Sequence, residues 1–372
     1  VVGTSGLSDI SSVAVDSAHT AFVADTGTAG TSDRVYTFDP TTGSRTQVGF
    51  LGEATGLPVD TSDRVYYGNA TINTFNQGTI ERTTSGGVEE TFRACGQGGG
   101  VDPCYVFGIG IDPDLTDFGP QGRVYVADGA SGKVRLVPPT GLIQDFATGF
   151  SFGGSPRGVV PNRNSGSSFY HDVYISDIAT IKHYDSASVP GSLLQTYDSS
   201  NSPVVSPRQM AITPLPRERL LVADEGQDGI VMINPATDNA KVIGVPVQSP
   251  RSIAVDVDAN GDPFAYVAES TRVLRYPVYK TLFISVWVAN GAGISEAEIR
   301  NQIEQANAAL EVCGFEAQLR DDKINFFDAG NLLDLDKSTG ACGPTLTRST
   351  EEQQLLDDTS RRSTEPTDIN VY

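Results

Sequence analysis

The first 280 residues of the chain are a succession of short apolar runs separated by turn residues. Six segments share one layout, and each begins with an apolar run that ends in an acid, an amide or a threonine. These runs are SSVAVD (11–16), TGLPVD (55–60), FGIGID (107–112), RGVVPN (157–162), RQMAIT (208–213) and RSIAVD (251–256). Because stretches such as SIAV and LLVA are almost wholly apolar, we expect strands that are buried on both faces.

A second strand in each segment ends in an acid or an amide. The six terminal residues recur 44 to 59 positions apart and are Asp25, Asn69, Asp128, Asp177, Asp224 and Glu269. A third strand follows, for example RVYTFD (34–39) or IVMIN (230–234), and then a turn and a fourth strand. Four short strands per unit of roughly 45 residues are typical of a β-propeller blade. The pattern therefore predicts a mainly β fold, with a six-bladed β-propeller over residues 1–279.

The sixth unit lacks a fourth strand, because the pattern changes after RVLRYP (272–277). We expect the N-terminal VVGTS (1–5) to supply this strand and to close the ring. The acid or amide that ends each second strand recurs in every unit, which favours a structural role over a catalytic one. Such a side chain accepts hydrogen bonds from the turn that follows the strand.

A change of period after the sixth unit predicts a small α+β domain over residues 280–372. Ser295 and Glu298 form a capping box at the start of a helix, and an apolar stripe at helical spacing follows them. Gly314 is placed to end this helix. The expected strands are LFISVWVA (282–289), FEAQLR (315–320) and KINFF (323–327).

The end of this domain is polar and charged from about Thr345 to Asp368, and its last residues, INVY (369–372), make a good edge strand. An incomplete sheet with an unpaired edge can accept a strand from another copy of the chain. We therefore expect the protein to assemble with itself into an oligomer or an open filament.

The composition restricts the class of partner and the compartment. The net charge of −20 argues against a nucleic-acid partner, because like charges repel. No run of about 18 apolar residues is present to span a membrane. Cys95–Cys104 and Cys313–Cys342 are the economical disulfides among three possible pairings, and they predict an extracellular or secreted protein. The sequon at Asn69 is compatible with glycosylation.

The repeated pattern P-R/x-G-I/V-A-V-D, followed by V-Y-V-A-D and R-I/V, resembles the NHL-type propellers and the related gluconolactonase, paraoxonase and strictosidine synthase group. The resemblance covers about residues 1–280 and implies a propeller fold. The enzymes of that group hold a calcium ion in the central channel through Glu, Asn and Asp of several blades. A calcium-dependent hydrolase or lactonase is therefore one alternative for this chain.

The order of a strand, SEAEIRNQIEQANAAL, CGFEAQL and the final DINVY resembles the leading half of secreted zinc-metalloprotease domains of the metzincin kind. The resemblance is confined to residues 280–372, which contain no HExxH motif. It therefore implies no catalytic residue. The propeller part of a processed secreted metalloprotease is a further alternative.

Three units carry Ser-Pro-Arg immediately before the first strand, which places Arg157, Arg208 and Arg251 at equivalent positions. First strands begin near one mouth of a propeller channel. These arginines are therefore candidates for a ring that holds an anion or a carboxylate of a partner. The alternative is that each arginine pairs with a nearby acid of its blade.

The stretch VDVDANGDP (255–263) has acids or amides at alternate positions, as at the start of an EF-hand calcium loop. Such a loop beginning at Asp256 would need Glu at position 267, where the chain has valine. We therefore favour a hairpin turn in which Asn260 and Gly261 adopt positive φ. A weak calcium site is the alternative, and its ligands would be Asp256, Asp258, Asn260 and Asp262.

Catalytic chemistry has little support in the sequence. His19, His171 and His183 are not spaced as metal ligands, and neither HExxH nor G-x-S-x-G is present. His171 and His183 flank a strand and are expected at the surface. We therefore predict a secreted, non-enzymatic propeller, acting as a self-assembling surface or filament subunit or as a binding module.

Overall fold

The computed structural model of the chain divides into two compact units, Val1–Tyr276 and Pro277–Tyr372. The boundary expected between residues 279 and 280 lies close to this division. The structure describes residues 7–27, 33–39, 42, 44–51, 56–69, 79–84, 86–94, 106–115, 122–129, 131–150, 156–215, 218–243, 247–259, 261–278, 280–289, 294–310, 315–327 and 369–371.

The first unit is a six-bladed β-propeller, which confirms the fold predicted from the repeat. Each blade is an antiparallel meander whose strands follow chain order. Blade 1 contains β1 (Ile10–Val15), β2 (Ala21–Asp25), β3 (Asp33–Phe38) and β4 (Arg45–Leu51). Blade 2 contains β5 (Val65–Asn69), β6 (Thr79–Thr83) and β7 (Glu89–Ala94). Blade 3 contains β8 (Val106–Asp112), β9 (Arg123–Asp128), β10 (Lys133–Leu136) and β11 (Gln144–Ala147).

The second half of the ring repeats this arrangement. Blade 4 contains β12 (Gly158–Pro161), β13 (Val173–Ser176), β14 (Ile181–Asp185) and β15 (Ser192–Tyr197). Blade 5 contains β16 (Pro207–Ile212), β17 (Leu220–Asp224), β18 (Gly229–Asn234) and β19 (Asn239–Ile243). Blade 6 contains β20 (Ser252–Val257), β21 (Pro263–Ala268) and β22 (Val273–Pro277).

Blades 2 and 6 have fewer than four strands among the described residues. In blade 2 the first strand is reduced to a single bridge between Val59 and Val65. Pro58 precedes this bridge and has no N–H to donate to a ladder, which limits the pairing. Blade 6 has three strands. Its expected fourth strand, residues 1–5, lies outside the described part of the chain.

Buried apolar side chains between neighbouring sheets hold the blades together. Ile10 and Val13 of blade 1 pack against Phe264 and Tyr266 of blade 6 in one buried cluster. The backbone N–H of Ile10 also donates to the carbonyl oxygen of Ser270 at 2.7 Å, so blades 1 and 6 are joined directly. Similar clusters join blades 1 and 2, 2 and 3, 3 and 4, and 4 and 5. Each sheet thereby buries faces that it cannot bury alone.

The second unit contains β23 (Lys280–Ala289), α1 (Glu296–Leu310), β24 (Phe315–Phe327) and β25 (Ile369–Val371). Central β23 pairs in parallel with β24 on one side and with β25 on the other. Helix α1 therefore connects two parallel strands, as a βαβ unit requires, and its Ile299 packs on Val286 and Val288.

Local predictions for this unit are partly realised. Ser295 and Glu298 make the expected capping box, in which the Ser295 N–H donates to a Glu298 carboxylate oxygen at 2.7 Å. The two strands expected at 315–320 and 323–327 are instead one strand, β24, because its pairing with β23 continues across a register shift opposite Ile284 and Val286. Gly314 lies outside the described residues. Within the described ranges, no helix is long and apolar enough to cross a membrane.

Candidate functional site

The innermost strands of the blades line a central cavity of about 220 Å³. Blades 3 and 4 approach closely here because blade 3 has glycine at two positions. A Cβ on Gly108 would lie 2.6 Å from the carbonyl oxygen of Arg157, and one on Gly110 would lie 2.8 Å from that of Val159. Side chains at these positions would push the two blades apart, so the glycines set the local width of the channel.

The three arginines of the Ser-Pro-Arg repeats lie together at the mouth where the first strands begin. We call Arg157, Arg208 and Arg251 with the cavity between them the arginine mouth. This cavity has a volume of about 190 Å³. Five blades contribute to its wall, through Ser11, Phe107, Arg157, Arg208, Gln209, Glu225 and Arg251.

Acids hold two of these arginines. The Nε of Arg208 donates to Oε2 of Glu225 at 2.8 Å, and Arg251 forms an ion pair with Asp9 of blade 1. The sequence left two possibilities for these arginines, a ring around one mouth or separate ion pairs with nearby acids. In the structure Arg208 and Arg251 form ion pairs, and all three arginines line one cavity.

Arg157 is fixed by Ser206, whose Oγ accepts a hydrogen bond from Nη1 at 3.0 Å. Burial lowers the pKa of Arg157, and repulsion from Arg208 lowers it further, while Glu225 and Asp177 act in the opposite direction. Among the described charged side chains that line the cavity, three are cationic and one, Glu225, is anionic. The lining of the arginine mouth therefore carries excess positive charge.

Gln209 lines both the arginine mouth and the central cavity. Its Nε2 donates to the carbonyl oxygens of Phe107 at 3.1 Å and Arg157 at 2.8 Å. These two acceptors fix the orientation of the amide, because a flipped amide would place oxygen against oxygen. The equivalent residues of the other blades are small and are Ser12, Gly56, Gly108, Gly158 and Ser252.

The opposite mouth, where the first strands end, is acidic. Asp60 ends the first strand of blade 2, and its Oδ2 lies 2.7 Å from Nη2 of Arg64. Burial alone would raise the pKa of Asp60, but hydrogen bonds from Arg64 and Ser62 hold it below its ordinary value. Asp112 of blade 3 has a raised pKa, because burial outweighs the stabilisation from His171.

Arg163 lies at this acidic mouth and lines the central cavity. It belongs to blade 4, and its Nη1 donates to the carbonyl oxygen of Val59 in blade 2 at 3.0 Å. Arg163 is an exposed residue. Neighbouring protein atoms around the guanidinium lower its pKa, and Asp112, Asp114 and Asp60 oppose the shift. Arg163 was not predicted as a site residue, and its signal in the sequence is a basic residue just after the strand RGVVP.

All three histidines contact carboxylates. The pairs are His19 Nδ1 with Asp256 Oδ1 at 2.6 Å, His171 Nδ1 with Asp112 Oδ2 at 2.6 Å, and His183 Nε2 with Asp172 Oδ2 at 2.7 Å. The surface position expected for His183 is wrong. His183 is 4% exposed and stacks on Tyr174. His19 and His171 occupy turns with positive φ and reach the preceding blade, which is a repeated and therefore structural link.

The stretch 255–263 forms the hairpin between β20 and β21. Gly261 has a φ of +83°, as the turn requires, whereas Asn260 lies outside the described residues. Oδ1 of Asp258 accepts the N–H of Asp262 at 3.0 Å. Within the part of the chain that the structure describes, no group of three or more His, Cys, Asp or Glu side chains is arranged to hold a metal ion. The calcium site on Asp256, Asp258, Asn260 and Asp262 stays a prediction.

Four of the acids that end the second strands, Asp25, Asp177, Asp224 and Glu269, accept hydrogen bonds from backbone N–H groups, as their repetition suggested. The carboxylate of Asp224 accepts four backbone N–H groups, from Val205 (2.8 Å), Ser206 (2.9 Å), Gly226 (3.0 Å) and Gln227 (3.1 Å). Asp25 accepts the N–H of Asp9 at 3.0 Å, and Glu269 accepts that of Gln248 at 2.7 Å. These carboxylates therefore fix the segment that enters the first strand, and Asp224 also fixes the turn that was predicted.

Several predicted residues cannot be placed. The four cysteines, Cys95, Cys104, Cys313 and Cys342, lie outside the described residues. Asn69 is the last residue of β5, while the rest of its sequon is outside the described part. Both disulfides and the glycosylation therefore stay predictions.

No protein-family model matches the chain, and no curated protein sequence matches it. An auxiliary nutrient binding protein from Bacteroides thetaiotaomicron is similar in structure, with a TM-score of 0.54 at 13% identity over 73% of this chain and 69% of that chain. A structural genomics protein of unknown function from the same organism has a TM-score of 0.54 at 11% identity over 72% and 69% of the two chains. Virginiamycin B lyase from Staphylococcus aureus has a TM-score of 0.47 at 14% identity over 75% and 87%.

At these identities the likeness shows the propeller fold and carries no activity to this chain. It agrees with the fold that the repeat predicted. The expected resemblance of residues 280–372 to metzincin domains is not shown by any of these comparisons.

Proposed function

We propose that this protein is a secreted, non-catalytic binding module whose arginine mouth recognises a carboxylate or another anionic group of a partner. The observation that carries the proposal is the convergence of Arg157, Arg208 and Arg251 on one cavity. A guanidinium matches a carboxylate with two parallel N–H donors, and bonds between such charged groups are about twice as strong as neutral ones.

The ion pairs of the mouth leave donors for a ligand. Arg208 uses Nε and Nη2 toward Glu225, and Arg251 uses Nη1 toward Asp9 and the carbonyl oxygen of Ile10. A guanidinium has five N–H donors, so each of these two arginines keeps donors that no described residue occupies.

A bound anion would also relieve repulsion inside the mouth. Burial lowers the pKa of Arg157, repulsion from Arg208 lowers it further, and Glu225 and Asp177 act in the opposite direction. A ligand carboxylate between the two guanidinium groups would attract both of them. Because the site is open to solvent, its affinity should fall as ionic strength rises.

Isothermal titration calorimetry with citrate and with a tetraglutamate peptide tests the proposal. We expect salt-dependent binding that is lost in a triple variant with glutamine at Arg157, Arg208 and Arg251. Glu225→Gln should strengthen binding, because it removes the competing carboxylate. The matched control replaces three exposed arginines on outer strands, Arg34, Arg45 and Arg275. Unchanged binding by the first triple variant would refute the proposal.

We further propose that the second unit serves self-assembly. Strand β25 contributes three residues that pair with β23. The same pairing forms when the strand comes from another copy, so exchange of β25 between copies would build an oligomer or a filament. Removal of residues 366–372 should then yield monomers in analytical ultracentrifugation. Intact protein that remains a monodisperse monomer at high concentration would contradict this part of the proposal.

Two measurements on the same native sample test whether the protein is secreted and whether it is an enzyme. Non-reducing peptide mapping should find Cys95 joined to Cys104 and Cys313 joined to Cys342 if the protein is secreted. Stoichiometric calcium together with calcium-dependent hydrolysis of a lactone would favour a hydrolase over a binding module.

A further inference from the structure

The arginine mouth contains unused hydrogen-bond acceptors beside its cationic groups. Glu225 lines the cavity, and both hydrogen bonds that its side chain accepts from Arg208 end on Oε2. No described residue donates a hydrogen bond to Oε1 of Glu225. A carboxylate has about four lone-pair sites. Glu225 can therefore accept further N–H groups while Arg208 holds it in place.

Gln209 supplies a second unused acceptor in the same cavity. The residue is 6% exposed, and its Nε2 donates to the carbonyl oxygens of Phe107 and Arg157. Both hydrogens of the amide are therefore used. Its Oε1 receives no hydrogen bond from any residue that the structure describes. Because buried polar atoms in proteins are normally paired, this oxygen favours a ligand that donates a hydrogen bond.

The cationic side of the mouth keeps donors as well. Arg208 directs Nε and Nη2 toward Glu225, and Arg251 directs Nη1 toward Asp9 and the carbonyl oxygen of Ile10. Among the described residues, none accepts a bond from Nη1 of Arg208 or from Nε and Nη2 of Arg251. A ligand carboxylate can therefore bind these guanidinium groups without breaking either ion pair.

We propose that the arginine mouth binds the zwitterionic head of a small α-amino acid, with its carboxylate on the arginines and its ammonium group on Glu225 and Gln209. This inference rests on the proposed function, because it names the class of ligand for the same site. An α-amino acid carries its two opposite charges on one carbon atom, and Arg208 and Glu225 lie in contact in the mouth. The two pairs of charges can therefore bind head to tail.

The size of the cavity agrees with a small ligand. Its volume is about 190 Å³, whereas pockets for drug-sized ligands occupy roughly 300–1,000 Å³. The ammonium group of an amino acid has three N–H donors, so it can bond to both unused acceptors at once. A simple carboxylate of the same size has no donor for either of them.

Calorimetric titration of the full-length protein at neutral pH tests this inference with three matched probes, L-alanine, propionate and L-alaninamide. Propionate lacks the ammonium group, and alaninamide lacks the carboxylate. We expect alanine to bind and each of the other two to bind at least about tenfold more weakly, because each loses hydrogen bonds to charged groups on one side of the mouth.

Glu225→Gln separates this inference from the proposed function. The variant removes the negative charge that holds the ammonium group, so alanine should bind at least about tenfold more weakly. Citrate has no ammonium group, and the same variant should strengthen its binding. The matched control is Glu296→Gln, which removes a glutamate paired with Arg300 in the second unit and should change neither affinity. Circular dichroism of each variant shows whether the propeller is intact.

Any of three results overturns the inference. Alanine fails to bind at millimolar concentration, or propionate binds as tightly as alanine, or alanine binds Glu225→Gln as tightly as the parent protein. If citrate binding still depends on Arg157, Arg208 and Arg251, the proposed function stands in each of these cases. The two failures are therefore distinguishable.

Discussion

Replacement of Asp224 by alanine tests whether the acids that end the second strands are structural. The side chain is fully buried, and its carboxylate accepts four backbone N–H groups between 2.8 and 3.1 Å. Two of the donors belong to the segment that enters blade 5, and two belong to the turn after β17. The substitution therefore releases both segments at once.

The expected loss in the free energy of unfolding depends on how many of the four N–H donors water can reach in the Asp224→Ala variant. The N–H groups of Val205 and Gly226 belong to exposed residues, which water can hydrate, whereas Ser206 and Gln227 are half-buried. A hydrogen bond to a charged group contributes about 1.5–3 kcal/mol, so the two poorly hydrated donors give a loss of about 3 kcal/mol in the free energy of unfolding. Asp224→Asn keeps Oδ1, which accepts three of the four donors, and should lose about 1 kcal/mol.

Urea unfolding followed by far-ultraviolet circular dichroism measures these differences. The matched control is Asp198→Ala, which removes a carboxylate that accepts the N–H of Ser200 at 2.8 Å on an exposed turn. The control should change the unfolding midpoint far less, because water replaces its partners. If Asp224→Ala were no more destabilising than Asp198→Ala, the structural interpretation of the repeated acids would be refuted.

Three further predictions concern single contacts. The pKa of Asp60 lies below its ordinary value, so its ionised form stabilises the fold above the unfolded pKa of about 3.9 and this stabilisation is lost as pH falls through the lower, folded value. Asp60→Asn should therefore lower stability at pH 7 and flatten its decline below about pH 4, as measured by urea unfolding across pH. Gly110→Ala places a Cβ 2.8 Å from the carbonyl oxygen of Val159 and should cost about 1–3 kcal/mol, seen as a lower Tm. Ser295→Ala removes the cap paired with Glu298 and should cost about 1 kcal/mol, seen as faster amide exchange at the start of α1.

The parts of the fold that could be predicted depend on short sequence patterns that repeat along the chain. The blade strands were predicted because each apolar run is short and is followed by its own turn residue. The position of the arginine mouth followed from the same repetition, since Arg157, Arg208 and Arg251 stand at or just before the start of innermost strands. The hairpin at 255–263 was predictable for this reason too.

What could not be predicted depends on contacts between residues distant in the chain or on opposite sides of a sheet. Arg163 donates a hydrogen bond across the ring to the carbonyl oxygen of Val59, although the two residues are 104 positions apart in the chain. No local sequence pattern predicts this contact. His183 was expected at the surface because it was taken to flank a strand, but it lies within β14 and pairs with Asp172 of the same blade in the interior. The repeat also contained one signal that was not used for prediction. Gln209 is a large amide at a position where the five other blades have glycine or serine.

The large side chain of Gln209 lies in the channel between the arginine mouth and the acidic mouth. If the Gln209 amide swung out of the channel, the carbonyl oxygens of Phe107 and Arg157 would lose this donor. The Oε1 of Gln209 receives no hydrogen bond from any described residue. Gln209 thus lies between the arginine mouth and the acidic mouth, and it lines both the central cavity and the cavity of the arginine mouth.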